Sequence, residues 1–359
     1  MAEILLVGPD RERSSGIRGI LRQDGHGVHL HRSIDHWREA EKEIRPALVV
    51  ATVDSIDSIL AGVGRPQRGF PAPILWVQQE SSFSRDPFLK DRLLDRIASP
   101  FMSEELLGRV DALIRVRSVI HHEPLTLTTD EIEPTHDTRH PARGLRGIGA
   151  RLTALLRTRI PRIEKPLGPY LEVAARVAEW ADRRDAFEPG HAERVTSFCA
   201  MIGEGLRLDA EETSSLLRAA MLHDIGKVVL PVEVLHQRKP LDEPQRRMMR
   251  THPQRGAALL RALDRDDAVA DAIECHHECP NGSGYYGKGE ETPRTSRVLA
   301  VAEVYDAMTS SRVKRQLSRD AALERLESLK GEQLDADCVE ALIDTLRPRA
   351  AAIPLSPTV

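Results

Sequence analysis

The periodicity of the apolar residues changes once along this chain, and that change limits the fold more than any other feature. Residues 1–117 alternate short apolar runs with helical patterns, whereas from Tyr170 onward the pattern is almost entirely helical. Strands that alternate with helices predict a parallel sheet covered by helices. Amphipathic helices without strands predict a helical bundle. The predicted fold class is therefore multidomain, an α/β domain followed by an all-α domain.

The first part contains five apolar runs of strand length. They lie at residues 4–8, 28–30, 47–53, 73–77 and 96–98, and the last helical pattern begins near Ser103. Five strand–helix units favour a flavodoxin-like sheet with the strand order 2-1-3-4-5.

A segment without periodicity separates the two patterns. Residues 118–146 are rich in Thr, Pro, His and Arg, which is typical of a linker. Its histidines are interpreted as solvated residues, with a metal site as the alternative; they are His121, His122, His136 and His140. The predicted domain boundaries are 1–117 for the α/β domain, 118–168 for the linker and connector helix, 169–348 for the helical domain and 349–359 for a tail.

Residues 147–160 combine apolar residues on one side with arginines on the other. We interpret them as a connector helix that packs against a partner helix or the next domain, and a helix lying on a membrane surface is the alternative.

Composition excludes several classes of function. The 359 residues carry a net charge of −4, which gives no general affinity for DNA or for an anionic membrane. There is no long apolar run that could span a bilayer, and no signal peptide is recognised at the N-terminus. Four cysteines are too few for a disulfide framework in a chain of this length. We therefore expect a cytoplasmic protein without a membrane span.

The helical part carries histidines and acidic residues at separated points along its helices. Helices are predicted at 210–222, 242–250, 253–263, 266–277, 294–311 and 319–329. The residues that stand out are His191, His223, Asp224, Lys227, His252, His276, His277, Glu303 and Asp306. Glu303 and Asp306 are three residues apart and so share one helix face.

Imidazoles together with carboxylates suit divalent ions such as Mn, Fe, Zn or Ni. A carboxylate next to a histidine can bridge two ions while the imidazole binds one. Two ions about 3.5–4 Å apart can orient a phosphodiester and stabilise the attacking and leaving oxygens. Because a bound ion lowers the pKa of water towards neutrality, no separate protein base is required.

Five motifs in this half resemble the HD-GYP subgroup of the HD phosphohydrolases. They are GHAERV at 190–195, LHDIGKVVLP at 222–231, THPQRGAALL at 251–260, HHECPNGSGYY at 276–286 and RVLAVAEVYDAMTSSR at 297–312. The resemblance covers about half of the chain, and it implies hydrolysis of cyclic di-GMP to pGpG or GMP, or of cyclic GMP-AMP, in bacterial signalling.

The resemblance also implies roles for individual residues. The metal ligands would be His191, His223, Asp224, His252, His276 and His277, with Glu303 at the position of the family's aspartate ligand. Asp224 would bridge the ions, and Lys227 would stabilise charge beside the scissile phosphate. The substrate pocket would be shaped by Gly284, Tyr285, Arg312 and Arg315. The implied cofactors are two divalent transition-metal ions, with Fe or Mn favoured over Ni or Zn.

The chain departs from the family pattern at several positions. Tyr286 stands where the Gly-Tyr-Pro signature has proline, Asn281 stands where an aspartate is usual, and Glu303 is one methylene longer than aspartate. Members with three ions have a glutamate one turn before the first histidine, and here that position is Phe187. These departures leave open a degenerate protein that binds a cyclic dinucleotide or a partner with little turnover, and a scaffold is a third hypothesis.

The N-terminal domain resembles a response-regulator receiver in outline. Asp10 is the one acid that remains of the pair after strand one, Thr52 occupies the phosphoacceptor position with Asp54 nearby, and Ser99 replaces the lysine before Pro100. Without a carboxylate cluster Mg²⁺ is not held beside an acceptor. We interpret the domain as a pseudo-receiver that serves docking to a protein partner or homodimerisation.

Cys275 and Cys279 flank the histidine pair. They are interpreted as buried or half-buried helix thiols, and a zinc thiolate site is the alternative.

Overall fold

The structure is a computed structural model that describes residues 1–32, 37–53, 71–79, 92–122, 169–184, 190–236, 240–263, 266–310 and 316–347. Several predictions fall outside the described residues: those on His136, His140, Asp54, Phe187, Arg312 and Arg315, the connector helix at 147–160 and the tail at 349–359. The chain divides into two compact units. The first comprises Met1–Phe187 and Asp224–Ala270, and the second comprises Glu188–His223 and Asp271–Val359.

A five-stranded parallel sheet forms the centre of the first unit. Its order is β2-β1-β3-β4-β5, which confirms the predicted strand order. The strands are β1 (Glu3–Val7), β2 (Gly27–His31), β3 (Leu48–Ala51), β4 (Ile74–Gln79) and β5 (Leu94–Ser99). Leu5, Val49 and Trp76 are buried in one core cluster. Continuous apolar runs suit such a sheet because both faces of a parallel sheet are covered.

The helices begin and end close to the residues that the periodicity predicted. In chain order they are α1 (Arg11–Gln23), α2 (Trp37–Ile44), α3 (Ser103–His122), α4 (Pro169–Arg184), α5 (His191–Gly205), α6 (Ala210–Leu222), α7 (Val232–Leu235), α8 (Glu243–Met249), α9 (His252–Leu263), α10 (Asp267–Glu274), α11 (Arg294–Thr309), α12 (Arg319–Leu329) and α13 (Ala336–Leu346). Short 3₁₀ helices span Ile225–Val229 and Gly289–Glu291. Among the helices of the described residues, none has the length and apolar character needed to cross a membrane.

The carboxyl ends of the strands carry hydroxyl groups where a phosphorylatable receiver would carry carboxylates. Thr52 follows β3 and is buried, with its Oγ1 atom 3.2 Å from Ser14 Oγ. Asp10 caps α1 by accepting hydrogen bonds from the amides of Glu12 and Arg13. Ser99 ends β5 and precedes a cis proline.

A buried ion cluster joins the sheet to the first helix of the helical half. The Asp95 side chain on β5 is fully buried, and Arg109 of α3 donates to it over 2.9 Å. Arg109 also donates to Glu172 of α4. Burial opposes the charge on Arg109, but the surrounding carboxylates outweigh it and raise the pKa of the guanidinium. Removing Asp95 or Arg109 would leave the other charge buried without its partner, which lowers the free energy of unfolding by about 3–5 kcal/mol.

The 3₁₀ helix Ile225–Val229 packs against α4 and α9 within the same unit. Gly226 permits the close approach to α9, because a Cβ atom there would lie 2.5 Å from the Gly256 nitrogen and overlap the His252 carbonyl. This contact places the start of α9, which carries His252, next to the 3₁₀ helix Ile225–Val229.

We expect Gly226→Ala to destabilise the chain by about 1–3 kcal/mol, because backbone atoms of α9 must move to admit the methyl group. Gly16→Ala is the matched control, since a Cβ at that position in α1 meets nothing within 4 Å and alanine favours a helix by roughly 1 kcal/mol. Urea unfolding of the full chain measures both changes. A Gly226→Ala chain as stable as wild type would contradict the close packing.

Candidate metal centre

Two buried histidines of the second unit hold their rings in the same way. His223 Nδ1 lies 2.8 Å from the Ala220 carbonyl oxygen, and His276 Nδ1 lies 2.6 Å from the Ile273 carbonyl oxygen. A carbonyl can only accept, so each Nδ1 carries the hydrogen and each Nε2 carries a lone pair. The backbone therefore fixes both the tautomer and the orientation of these rings, as is usual for metal-binding histidines.

His191 at the start of α5 is held by a carboxylate instead. Its Nδ1 lies 2.7 Å from Asp306 Oδ2 on α11, and its Nε2 lies 3.2 Å from His223 Nε2. With both Nδ1 atoms acting as donors, two lone pairs face each other at that distance. A cation between them removes the repulsion, so the donor set of this pair fits a metal ion.

Asp306, which sequence reasoning placed on the face of Glu303 without a role, is a further candidate residue of this centre. It also accepts a hydrogen bond from Arg194 Nε over 2.6 Å. Although burial alone raises the pKa of the Asp306 carboxyl, the hydrogen bonds from His191 and Arg194 outweigh it and lower the pKa. The ionised carboxylate can then orient the His191 ring.

Glu303 completes a group of potential ligands in the second unit. One ligand atom from each of His191, His223 and Glu303 lies within 4.8 Å of the others. Glu303 Oε2 is also 3.8 Å from His276 Nε2 and 3.7 Å from His277 Nδ1. The Glu303 carboxylate thus lies close to imidazoles that the motifs singled out.

The first unit holds the other predicted site residues. Asp224 Oδ2 lies 2.7 Å from Lys227 Nζ, and Asp224 Oδ1 lies 3.4 Å from His252 Nε2. His252 Nδ1 lies 2.8 Å from the Met249 carbonyl oxygen, so this ring also presents Nε2. All three side chains are buried. The carboxylate is therefore flanked by a cation and an imidazole inside the protein, where charge interactions are strong.

The predicted pocket residues Gly284 and Tyr285 lie beside the histidine pair of the second unit. A Cβ on Gly284 would lie 2.5 Å from Glu278 Cα and 2.8 Å from the His277 oxygen, so only glycine allows this approach. The Tyr285 ring lies 4.5 Å from the His277 ring, centroid to centroid.

Asn281, the residue that replaces the usual aspartate, keeps a function that either side chain can perform. Its Oδ1 accepts a hydrogen bond from the Ser283 amide over 3.0 Å. This turn needs one side-chain oxygen two residues before the amide, which asparagine and aspartate both provide.

Cys275 is buried and accepts a hydrogen bond from Lys288 Nζ over 3.1 Å. Burial raises the pKa of the Cys275 thiol in spite of the nearby ammonium group. Cys279 is partly buried.

Comparison with known proteins identifies the class of this half of the chain. Residues 177–338 match the model of the HD domain. The C-terminal half is therefore an HD domain, and the predicted resemblance to the HD-GYP subgroup is confirmed.

Two curated relatives are phosphodiesterases. The cyclic di-GMP phosphodiesterase response regulator RpfG of Xanthomonas campestris is 35% identical over 48% of this chain and 47% of its own length. The 3'3'-cGAMP-specific phosphodiesterase 3 of Vibrio cholerae is 26% identical over 85% of this chain and 64% of its own. The matched part thus spans less than two thirds of either relative.

A solved structure, that of Bd1817, an HDG"Y"P protein from Bdellovibrio bacteriovorus, aligns with 69% of this chain and 82% of its own. The TM-score is 0.41 and the sequence identity is 16%.

We expect Asp306→Ala to weaken metal binding by about 10–100-fold, because the group that orients His191 is removed. Asp306→Asn should fall between this variant and wild type, since its amide oxygen still accepts one hydrogen bond. Asp344→Asn, at an exposed position on α13, is the control. Chelator competition followed by elemental analysis measures the affinities, and circular dichroism checks the fold. Unchanged affinity in the alanine variant would show that Asp306 does not orient the ligand.

Proposed function

We propose that this protein is a metal-dependent phosphodiesterase that hydrolyses a cyclic dinucleotide, with cyclic di-GMP as the first candidate and 3'3'-cGAMP as the second. The observation that carries the proposal is the group of His191, His223 and Glu303, whose ligand atoms lie within 4.8 Å of one another. The activities named for the relatives support this choice of reaction.

The two groups of ligands are joined by the peptide bond between His223 and Asp224. The resemblance to the HD-GYP subgroup assigns the residues of both groups to one centre. Two divalent ions would be held by His191, His223, Asp224, His252, His276, His277 and Glu303. Imidazole and carboxylate ligands suit Mn, Fe, Ni or Zn, and the family resemblance favours Fe or Mn among these.

When bound, two such ions supply an activated water and stabilise the negative charge of the phosphodiester. The chain supplies the rest. The Lys227 ammonium beside Asp224 stabilises charge that develops on the phosphate oxygens. Tyr285 forms one wall of the pocket next to His277. Arg312 and Arg315, by the family resemblance, hold phosphates or guanine edges.

A degenerate protein that binds without turnover is the second candidate, because Glu303 replaces the aspartate of the family. The position of Glu303 argues for turnover, since its carboxylate lies 3.8 Å from His276 Nε2 and 3.7 Å from His277 Nδ1. Its extra methylene is thus accommodated within the group of histidines.

For the N-terminal domain we propose a flavodoxin-like pseudo-receiver. The buried hydroxyls of Thr52 and Ser14 occupy the place where a phosphoacceptor would need ionised oxygens and Mg²⁺. Docking of a protein partner or a second copy of the chain is the function that remains for such a domain.

The experiment that tests the enzyme proposal combines metal analysis with turnover. We expect the purified full chain to contain about two transition-metal ions and to hydrolyse cyclic di-GMP or 3'3'-cGAMP. His223→Ala combined with Asp224→Ala should lose both properties, because it removes a ligand from each group.

Two outcomes would overturn this proposal. Unchanged metal content in the double variant would refute the site. If the metal-loaded wild-type chain cleaves neither dinucleotide, the enzyme hypothesis is wrong and the hypothesis of a binding protein without turnover takes its place.

Lys227 provides a separate test of the mechanism. We expect Lys227→Met to lower kcat by at least about tenfold while metal content stays near that of wild type, because the cation acts on charge that develops in the transition state. Lys330→Met is the control, since Lys330 pairs with exposed glutamates at the surface. Equal loss of metal and activity in Lys227→Met would make Lys227 a structural residue.

A further inference from the structure

The buried carboxylate of Glu278 holds the loop that follows it. Glu278 is 3% exposed, and its two oxygens accept hydrogen bonds from the amides of Tyr286 and Lys288, each over 2.7 Å. Two charge-assisted bonds to the backbone restrain the loop from 286 to 288 more strongly than neutral bonds would. The close approach of Gly284 to Glu278 restrains the same loop from the other side.

Tyr286 contributes to this arrangement through its backbone. The family signature has proline at this position, and proline has no amide hydrogen to donate. The bond from Tyr286 to Glu278 therefore exists because this chain departs from the signature. The replacement of proline by Tyr286 removes the proline ring, but it also allows a hydrogen bond from the Tyr286 amide to the buried Glu278 carboxylate.

The loop places two aromatic rings next to a histidine of the proposed centre. The Tyr285 ring lies 4.5 Å from the His277 ring at an interplanar angle of 33°. The Tyr286 ring meets Tyr285 edge to face, with centroids 6.2 Å apart and an angle of 85°. Both tyrosines are half-buried. We call this pair the aromatic wall.

We propose that Tyr286, together with Tyr285, forms an aromatic wall that stacks on one nucleobase of the substrate, and that Glu278 is the positioning residue of this wall. The inference rests on the proposed function, since it assumes a nucleotide substrate at the same centre. A phosphodiester held near His277 carries its bases within reach of half-buried rings, and nucleobases stack on tyrosine irrespective of their sequence. The perpendicular rings present a face and an edge, the arrangement that aromatic pairs prefer.

Three variants of Tyr286 separate its ring from its amide. Tyr286→Phe keeps both, Tyr286→Ala keeps the amide and loses the ring, and Tyr286→Pro loses both. Glu278→Gln disturbs the two anchoring bonds without changing the size of the side chain. Glu291→Gln, at an exposed position a few residues further along, is the matched control.

Binding of the phosphorothioate analogue of cyclic di-GMP to the metal-loaded full chain is measured by calorimetry, and metal content is measured on the same samples. We expect Tyr286→Phe and Glu291→Gln to bind like wild type. Tyr286→Ala should bind at least about fivefold more weakly, the effect of losing one stacked base. Tyr286→Pro should bind more weakly still, and Glu278→Gln should resemble it, while all variants keep their metal.

A double-variant cycle tests the positioning role. If Glu278 acts through the Tyr286 amide, the difference between Tyr286→Pro and Tyr286→Ala should disappear when Glu278→Gln is also present. Tyr286→Ala and Glu278→Gln chains that bind like wild type would overturn the inference, and so would a wild-type chain that binds no analogue. A wild-type chain that binds but does not hydrolyse cyclic di-GMP or 3'3'-cGAMP contradicts the proposed function alone, and the binding ratios still decide the role of the wall.

Discussion

The candidate centre depends on which nitrogen each imidazole turns inward, and helix ends fix that choice. His223, His252 and His276 each place Nδ1 on the carbonyl three residues before it. Those carbonyls lie in the last turns of α6, α8 and α10, where a helix runs out of amides to bond its carbonyls. The Ile273 carbonyl also accepts a long hydrogen bond, 3.5 Å, from the His276 amide. In each case the hydrogen bond from Nδ1 provides a partner for a carbonyl at the helix end and leaves the Nε2 lone pair available as a ligand. His191 begins a helix, and Asp306 provides the acceptor for its Nδ1.

Of the departures from the family pattern, one leaves the local contacts unchanged and two change contacts close to the histidines. Asn281 performs a turn function that needs only one oxygen, so the exchange of aspartate for asparagine leaves the turn intact. Glu303 and Tyr286 change contacts near the histidines. Glu303 reaches His276 and His277 in spite of its greater length, and Tyr286 gains a bond to Glu278. The histidines that the family resemblance implies are all present, and these two departures change residues that lie near them.

Sequence reasoning succeeded where the signal is local and periodic. The strand order and most helix bounds followed from apolar runs, and the positions of His191, His223 and His252 at helix ends were predicted from their neighbours. Helix α13 was not predicted, although its Cys338, Val339, Leu342 and Ile343 form a buried face. The contact of Asp306 with His191 spans 115 residues, and the amide of Tyr286 has no signature beyond the absence of proline. Such contacts depend on tertiary packing, which no spacing in the sequence encodes.

Within the first unit, buried ion pairs and helix packing connect the sheet to the first helix of the helical half. Asp95 near the start of β5 and Glu172 on α4 both accept hydrogen bonds from Arg109. Removing either carboxylate would leave a partly compensated buried charge, which costs free energy. Helix α4 in turn packs against the 3₁₀ helix that begins directly after Asp224. A movement of β5 would therefore either break the ion pairs of Arg109 or move α4 as well. Because α4 contacts the segment that follows Asp224, packed residues of the first unit connect the sheet to one of the proposed ligands.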